Sequence, residues 1–254
     1  MEAEKIFESS GTSGQLPSRH HIVDLRCYSA SLQKGFELFW GNPADYCFLA
    51  LLPSYLEREN ASLVYMVEQL MAQSKHPDNG FYLHDLPALS RKLRQLEKKA
   101  TKTMLIGVSF ALLELARKFP QPLNNTILME TGGMKGRGKE LIREELHNRL
   151  KSAFGLSSIA SEYGMTELLS QAYSKSDGIY TPAPWMQFFV RDLYDPFSIS
   201  KQGTGAINII DLANINSCSF IATDDLGKLY PDGRFEILGR MDNSDLRGCN
   251  LLLS

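Results

Sequence analysis

Apolar and polar positions fall into two textures along the chain. Tyr46 to Leu52 is a continuous apolar run that stops at Pro53, which predicts a short buried strand. Asn60 to Gln73 places Leu63, Met66 and Leu70 on one face behind Asn60, which predicts a helix capped by that residue. His84 to Ala100 predicts a second helix with basic residues along its exposed side. Lys102 to Val108 and Thr126 to Glu130 read as strands, with a helix through Ala111 to Lys118 between them. Gly138 to Phe154 repeats Ile142, Leu146, Leu150 and Phe154 at every fourth position, a helical period, and Ser157 to Ser161 is again strand-like. Strands alternating with helices predict an α/β fold: a largely parallel sheet flanked by helices. After about Tyr180 the pattern shortens. Trp185 to Asp192, Gly205 to Asp211, Ser217 to Thr223 and Phe235 to Leu238 are strand-like, and Pro231-Asp232-Gly233 is a turn signal. These define an expected α/β core over 1–180 and a smaller β-rich subdomain over 181–254.

Bulk composition narrows the function classes. At 254 residues and 43% hydrophobic, the chain can bury a core without disulfides or metals. With 27 basic against 29 acidic residues it has no charge excess of the kind that grips a phosphate backbone, so no nucleic-acid partner is expected. Cys27, Cys47, Cys218 and Cys249 are scattered, with no C-x-x-C spacing and no adjacent His, which argues against zinc and fits a reducing compartment. No apolar leader and no run near ~20 apolar residues is present, so neither a signal peptide nor a membrane span is expected. The expectation is a soluble, cytoplasmic protein.

Five segments carry candidate chemistry. Ser9-Ser10-Gly11-Thr12-Ser13-Gly14 offers free amides and hydroxyls of the kind that wrap phosphates, although such loops also serve as plain linkers. Thr131 to Glu140 has glycine and lysine at nucleotide-loop spacing, but Glu140 stands where a Ser or Thr should hold magnesium, so a P-loop is rejected. Ser161-Glu162-Tyr163-Gly164-Met165-Thr166-Glu167 follows a predicted strand. It combines an aromatic for a base, a hydroxyl for phosphate and a carboxylate for magnesium, and its plainer reading is a β-turn with a surface Glu. Thr223-Asp224-Asp225-Leu226-Gly227 and Gly239-Arg240-Met241-Asp242 read singly as capped turns and solvated loops.

The order and spacing of these pieces resemble the adenylate-forming superfamily. That superfamily carries a Ser/Thr/Gly phosphate loop, then Tyr-Gly-x-Thr-Glu, then Thr-Gly-Asp, then Gly-Arg-x-Asp. Within it, the Ser-Ser-Gly-Thr-Ser-Gly loop and the ending Arg247-Gly248-Cys249 look like the acyl-protein synthetases of bacterial bioluminescence operons, the LuxE-like family. The resemblance implies ATP-dependent activation of a fatty or other carboxylate to an acyl-adenylate, followed by acyl transfer to a thiol. It makes 1–180 a nucleotide-binding core and 181–254 a subdomain completing the adenylate site. By similarity Ser10, Thr12, Ser13 and Gly14 cradle the ATP phosphates, and Tyr163 and Gly164 lie at the adenine. Thr166 bonds the α-phosphate, Glu167 holds Mg²⁺, Asp225 accepts from the ribose hydroxyls, and Arg240 contacts ribose or phosphate. Cys249 is the implied acyl acceptor, with Arg247 favouring its thiolate; the apolar tail Leu251 to Leu253 equally suits a buried, inert Cys249. An acyl-accepting protein, a carrier or coenzyme A is the implied final acceptor.

The chain departs from the pattern in four places. Pro17-Ser18 replaces the usual Pro-Lys, with Arg19 nearby as a substitute charge, and Asp224 replaces a glycine. The Lys-containing stretch after Gly-Arg-x-Asp is Asn243 to Leu246 here, and the helical segment that family members carry ahead of the phosphate loop is not seen. These departures keep a second expectation open: a nucleotide- or acyl-binding remnant or partner subunit without turnover. Cys218, in the predicted strand from Ser217, is expected in the core.

Overall fold

The structure is a computed structural model that describes residues 2–9, 17–52, 60–132 and 142–241. It opens with a hairpin of β1 (Lys5–Glu8) and β2 (Arg19–Ile22), followed by α1 (Leu25–Trp40). Strands and helices then alternate: β3 (Cys47–Leu51), α2 (Ser62–Ser74), β4 (Gly80–Phe81), α3 (Leu86–Lys98), β5 (Thr103–Val108), α4 (Ser109–Lys118), β6 (Thr126–Thr131), α5 (Arg143–Phe154) and β7 (Ala160–Tyr163). The later described elements are strands, with one short 3-10 turn at Leu212–Asn214: β8 (Ala172–Ser174), β9 (Ile179–Pro182), β10 (Met186–Arg191), β11 (Ile199–Ser200), β12 (Gly203–Asp211), β13 (Phe220–Leu229) and β14 (Phe235–Arg240).

One 12-stranded sheet runs β11-β10-β12-β13-β14-β9-β8-β7-β6-β5-β3-β4. From β4 to β7 every pairing is parallel, and from β7 to β11 every pairing is antiparallel. The sequence explains the change. Each parallel strand is returned by a helix, and β3 and β5 are buried at every residue, hence their unbroken apolar runs. The later strands alternate, as in β10 with Met186, Phe188 and Val190 inward. Two cores result. The larger packs Tyr28, Leu32 and Phe36 of α1, Leu89, Leu93 and Leu96 of α3 and Leu150 and Phe154 of α5 against the parallel strands. The smaller is aromatic: Phe235 stacks on Phe188 at 3.9 Å and on Tyr180 at 5.3 Å, with Tyr163 edge-on to Phe235 at 5.5 Å.

Several local expectations need correction. No element is predicted between residues 15 and 45, yet α1 occupies 16 residues there, capped by Asp24, whose carboxylate accepts from the Arg26 amide. The cap position of α2 is Ala61, not Asn60, and no side chain caps it. Ile142 precedes α5 and is exposed rather than part of its buried face. Cys218 lies ahead of β13 and is exposed, because the strand begins at Phe220. β7 begins three residues later than expected, so it carries Glu162 and Tyr163 into the sheet. The Lys-rich turn from Gly133 to Glu140 lies outside the described residues. No described helix is long and apolar enough to cross a membrane.

The smaller core depends on Phe235, which is fully buried between three other rings. Phe235→Ala is expected to lower unfolding free energy by about 3–5 kcal/mol, since it leaves a ring-sized void. Urea denaturation followed by tyrosine fluorescence checks this; a loss below about 1 kcal/mol contradicts the packing.

Candidate functional site

The Ser161–Glu167 segment gains its shape from two strands. β7 ends at Tyr163, β8 returns at Ala172, and the pair Tyr163–Ala172 closes the connecting loop. Inside it the Leu168 amide donates to Met165 O at 3.1 Å, making a tight turn at Thr166 and Glu167. Gly164 is needed for space: a Cβ there would run into Oε1 of Glu162. That carboxyl is buried and accepts from the Thr131 hydroxyl, so it has little freedom to move aside.

The base of the Ser/Gly loop lies against this turn. The hairpin fixes the two stems through the pair Glu8–Arg19. The Ser9 amide donates to Ser18 O at 3.0 Å, and the Ser18 amide donates to Ser9 Oγ at 2.9 Å. The Ser18 hydroxyl then donates to Oε1 of Glu167. Ser10, Thr12, Ser13 and Gly14 lie outside the described residues, but both ends of their loop are placed. Arg19, the expected substitute charge, pairs with Glu8 at 2.9 Å.

The Thr223–Asp225 motif approaches from the other core. Thr223 Oγ1 donates to Ile207 O at 2.8 Å and accepts from the Asp225 amide at 3.1 Å, fixing the start of the motif. The Tyr163 hydroxyl donates to Oδ2 of Asp225 at 2.8 Å. The Tyr163 ring is packed among aromatic side chains, so this bond ties the end of β7 to β13. Asp225 pairs across the ladder with Arg240 on β14, and Arg240 reaches Asp224 at 3.9 Å. Asp224 stands where the superfamily pattern has glycine, and its backbone is not among the positive-φ residues, so the replacement is unstrained there. Gly227 is irreplaceable sterically: a Cβ would meet Glu236 O and Ile207 Cδ1, each at 2.7 Å.

Electrostatics show the same convergence. Burial raises the Asp225 carboxyl above its usual range, and the nearby charges of Asp224 and Glu167 push the same way; the Tyr163 hydroxyl and Arg240 oppose them. Tyr163 is raised well above its usual value, chiefly by burial and then by Asp225. Cys249, Arg247 and Asp242 lie outside the described residues.

A buried acidic pair at the ends of β6 and β7 does not follow from the motif pattern. Glu130 accepts from Ser109 at 3.2 Å and lies 3.8 Å from Arg143 and 3.6 Å from His147. Glu162 has only Thr131 as a hydrogen-bonding neighbour among the described residues, and burial pushes it up to about 7, with Glu130 adding repulsion. No alternation in the sequence signals it: β7 is Ala-Ser-Glu-Tyr and is buried at every position, polar residues included.

No protein-family model matches the chain, and no curated protein matches it. Solved structures do. MatB from Rhodopseudomonas palustris with ATP bound superposes with a TM-score of 0.67 at 19% identity, covering 92% of this chain and 47% of that one. A malonyl-CoA ligase with methylmalonyl-CoA and AMP bound gives 0.61 at 19%, covering 93% and 52%. The luciferase-like enzyme of the nonluminescent mealworm Zophobas morio gives 0.65 at 14%, covering 94% and 57%. The fold is therefore the adenylate-forming domain fold. The chain spans about half the length of these structures.

Glu162 supplies a test of the buried acidic pair. Its folded pKa is raised from 4.5 to about 7, so its contribution to stability is complete below about 4.5 and is lost as pH rises through about 7. Glu162→Gln removes that loss. The variant is expected to gain on the wild type by roughly 3 kcal/mol between pH 4.5 and 8. Denaturant midpoints measured across that range check it, and parallel profiles for the two proteins contradict it.

Proposed function

We propose that the chain activates a carboxylic acid with ATP to form an acyl-adenylate and pyrophosphate. The observation that carries this reading is the contact between the base of the Ser/Gly loop and the Thr166–Glu167 turn through Ser18 and Glu167. It puts the stem of the loop expected at the phosphates beside the residue expected at the metal. The fold shared with ATP-bound ligases supports the same class. In the reaction a carboxylate oxygen of the substrate attacks the α-phosphorus, and the bond from that phosphorus to the bridging oxygen of pyrophosphate breaks.

The roles follow the order of the motifs. Ser10, Thr12, Ser13 and Gly14 would donate to the phosphates, and Thr166 to the α-phosphate. Tyr163 and Gly164 border the adenine. Asp225 has Oδ2 on Tyr163, which leaves Oδ1 to accept from the ribose hydroxyls. Arg240, paired with Asp225 across the ladder on β14, adds positive charge at the ribose or phosphates. Glu167 fits a magnesium ligand: it is a partly exposed carboxylate, and no Lys or Arg pairs with it among the described residues. Magnesium, when bound there, neutralises charge on the phosphates. The protein's own contribution is placement and fixed dipoles, which such a displacement mainly requires.

The finer reading is an acyl-protein synthetase acting on a fatty carboxylate. In the second half-reaction the Cys249 thiolate attacks the acyl carbonyl and AMP leaves, with Arg247 favouring loss of the thiol proton beforehand. A protein, a carrier or coenzyme A then takes the acyl group. The Arg-Gly-Cys ending is what favours this over direct transfer to coenzyme A.

Two outcomes are expected. Labelled pyrophosphate exchanges into ATP only when a carboxylate is present, and Glu167→Gln lowers that exchange by about 10²-fold or more. Cys249→Ser retains exchange but no longer becomes acyl-labelled. Release of ADP rather than AMP, or exchange indifferent to Glu167, contradicts the assignment.

A further inference from the structure

The turn that bears Thr166 and Glu167 is gripped from two sides by residues that no motif contains. His20, on β2, lies with Nδ1 2.8 Å from Thr166 O. A carbonyl only accepts, so Nδ1 carries the proton and donates. Asn214, in the short 3-10 turn after β12, donates from Nδ2 to Glu167 O at 2.8 Å. Ser217 joins the two. Its Oγ lies 2.8 Å from Nε2 of His20 and 3.0 Å from Oδ1 of Asn214. Behind Asn214, the buried carboxylate of Asp211 accepts from the Leu169 amide at 2.9 Å, the Ser170 hydroxyl at 2.6 Å and the Ala213 amide at 3.0 Å.

The consequence is geometrical. The carbonyls of Thr166 and Glu167 belong to the peptide planes on either side of the Glu167 Cα. With both planar units held, φ and ψ of Glu167 are fixed, and so is the direction of its Cβ. The far end of the same side chain is met by Ser18, two residues before His20 on the same stem of the Ser/Gly loop. The stem therefore holds Glu167 at its carboxylate and holds the preceding carbonyl as well.

We propose that His20, Ser217 and Asn214 act as a positioning clamp that orients Glu167 and couples it to the stem of the phosphate loop. This rests on the adenylation reading above and deepens it. The clamp explains why a loop stem and a turn 146 residues apart in sequence meet through a buried imidazole. It also gives Ser217, an exposed residue with no place in the motifs, a specific duty.

Ser217→Ala in the full chain is the test, because Ser217 belongs to neither core and the change removes a single hydroxyl. Pyrophosphate–ATP exchange is measured against magnesium concentration, with amide hydrogen exchange at Leu168 and Leu169 as a second readout. The clamp predicts a roughly tenfold lower maximal rate, a higher half-saturating magnesium concentration and an unchanged KM for the carboxylate. It also predicts faster amide exchange at both leucines at an unchanged Tm. Ser217→Thr, which keeps the hydroxyl, restores all of these, and His20→Ala exceeds the loss seen in Ser217→Ala. Wild-type magnesium dependence and wild-type amide protection in Ser217→Ala would overturn the clamp. If the wild type itself shows no exchange with any carboxylate, the adenylation reading fails, and the amide measurement alone then decides the clamp: faster exchange in Ser217→Ala supports it and unchanged protection overturns it.

Discussion

The Tyr163 hydroxyl bond to Asp225 is the constraint on which the arrangement turns. Tyr163 is the last residue of the last parallel strand, and its ring belongs to the smaller, aromatic core. Asp225 lies on the antiparallel side of the same sheet. One 2.8 Å contact therefore links the strand ends of the α/β half to the ladder of the β-rich half. A phenol on a partly buried carboxylate is a charge-assisted bond, of the stronger kind. With β7 anchored there, the loop after it projects Thr166 and Glu167 toward the stem of the Ser/Gly loop. Placing ligands at the carboxyl ends of parallel strands is a general consequence of α/β geometry, and here the antiparallel ladder completes that edge.

Polar groups under this edge cost stability. Glu162 is fully enclosed with one hydroxyl partner, while Glu130 nearby has a hydroxyl, an imidazole and a guanidinium around it. Burial raises the Glu162 carboxyl, and the charge of Glu130 adds to it. Asp211 is bonded differently. It is equally buried, yet its oxygens are occupied by backbone and side-chain donors, which makes it a structural anchor for the 168–170 segment and for Asn214.

Much of this architecture was legible in the sequence. The parallel strands announced themselves because full burial forces unbroken apolar runs, as in Cys47 to Leu51 and Thr103 to Val108. α1 was legible in principle: Asp24 is a good cap, and Tyr28, Leu32 and Phe36 recur every fourth residue. Ser29, Ser31 and Gly35 break up its apolar face, and Ser31 is buried because it bonds Ser170 and Trp185, partners that only the fold supplies. Of the candidate site, the turn at Thr166–Glu167, Tyr163, Asp225 and Arg240 could be named from motif order alone. The clamp could not. His20, Ser217 and Asn214 have no motif that marks them, and apart from the Ser217–Asn214 bond the contacts of the clamp span 47 to 197 residues.

On the proposed reading, the edge formed by Tyr163, Glu167 and Asp225 holds an acyl-adenylate. The direct measurement is calorimetric titration with a hydrolysis-resistant mimic, a fatty acyl group joined to adenosine through a sulfamate. The account predicts binding far tighter than that of AMP, because a mimic of the reaction intermediate engages both the nucleotide and acyl contacts. It also predicts at least about tenfold weaker binding in Asp225→Asn, where the buried acceptor for the ribose is altered. Binding no tighter than AMP, or equal affinity in wild type and Asp225→Asn, would contradict it.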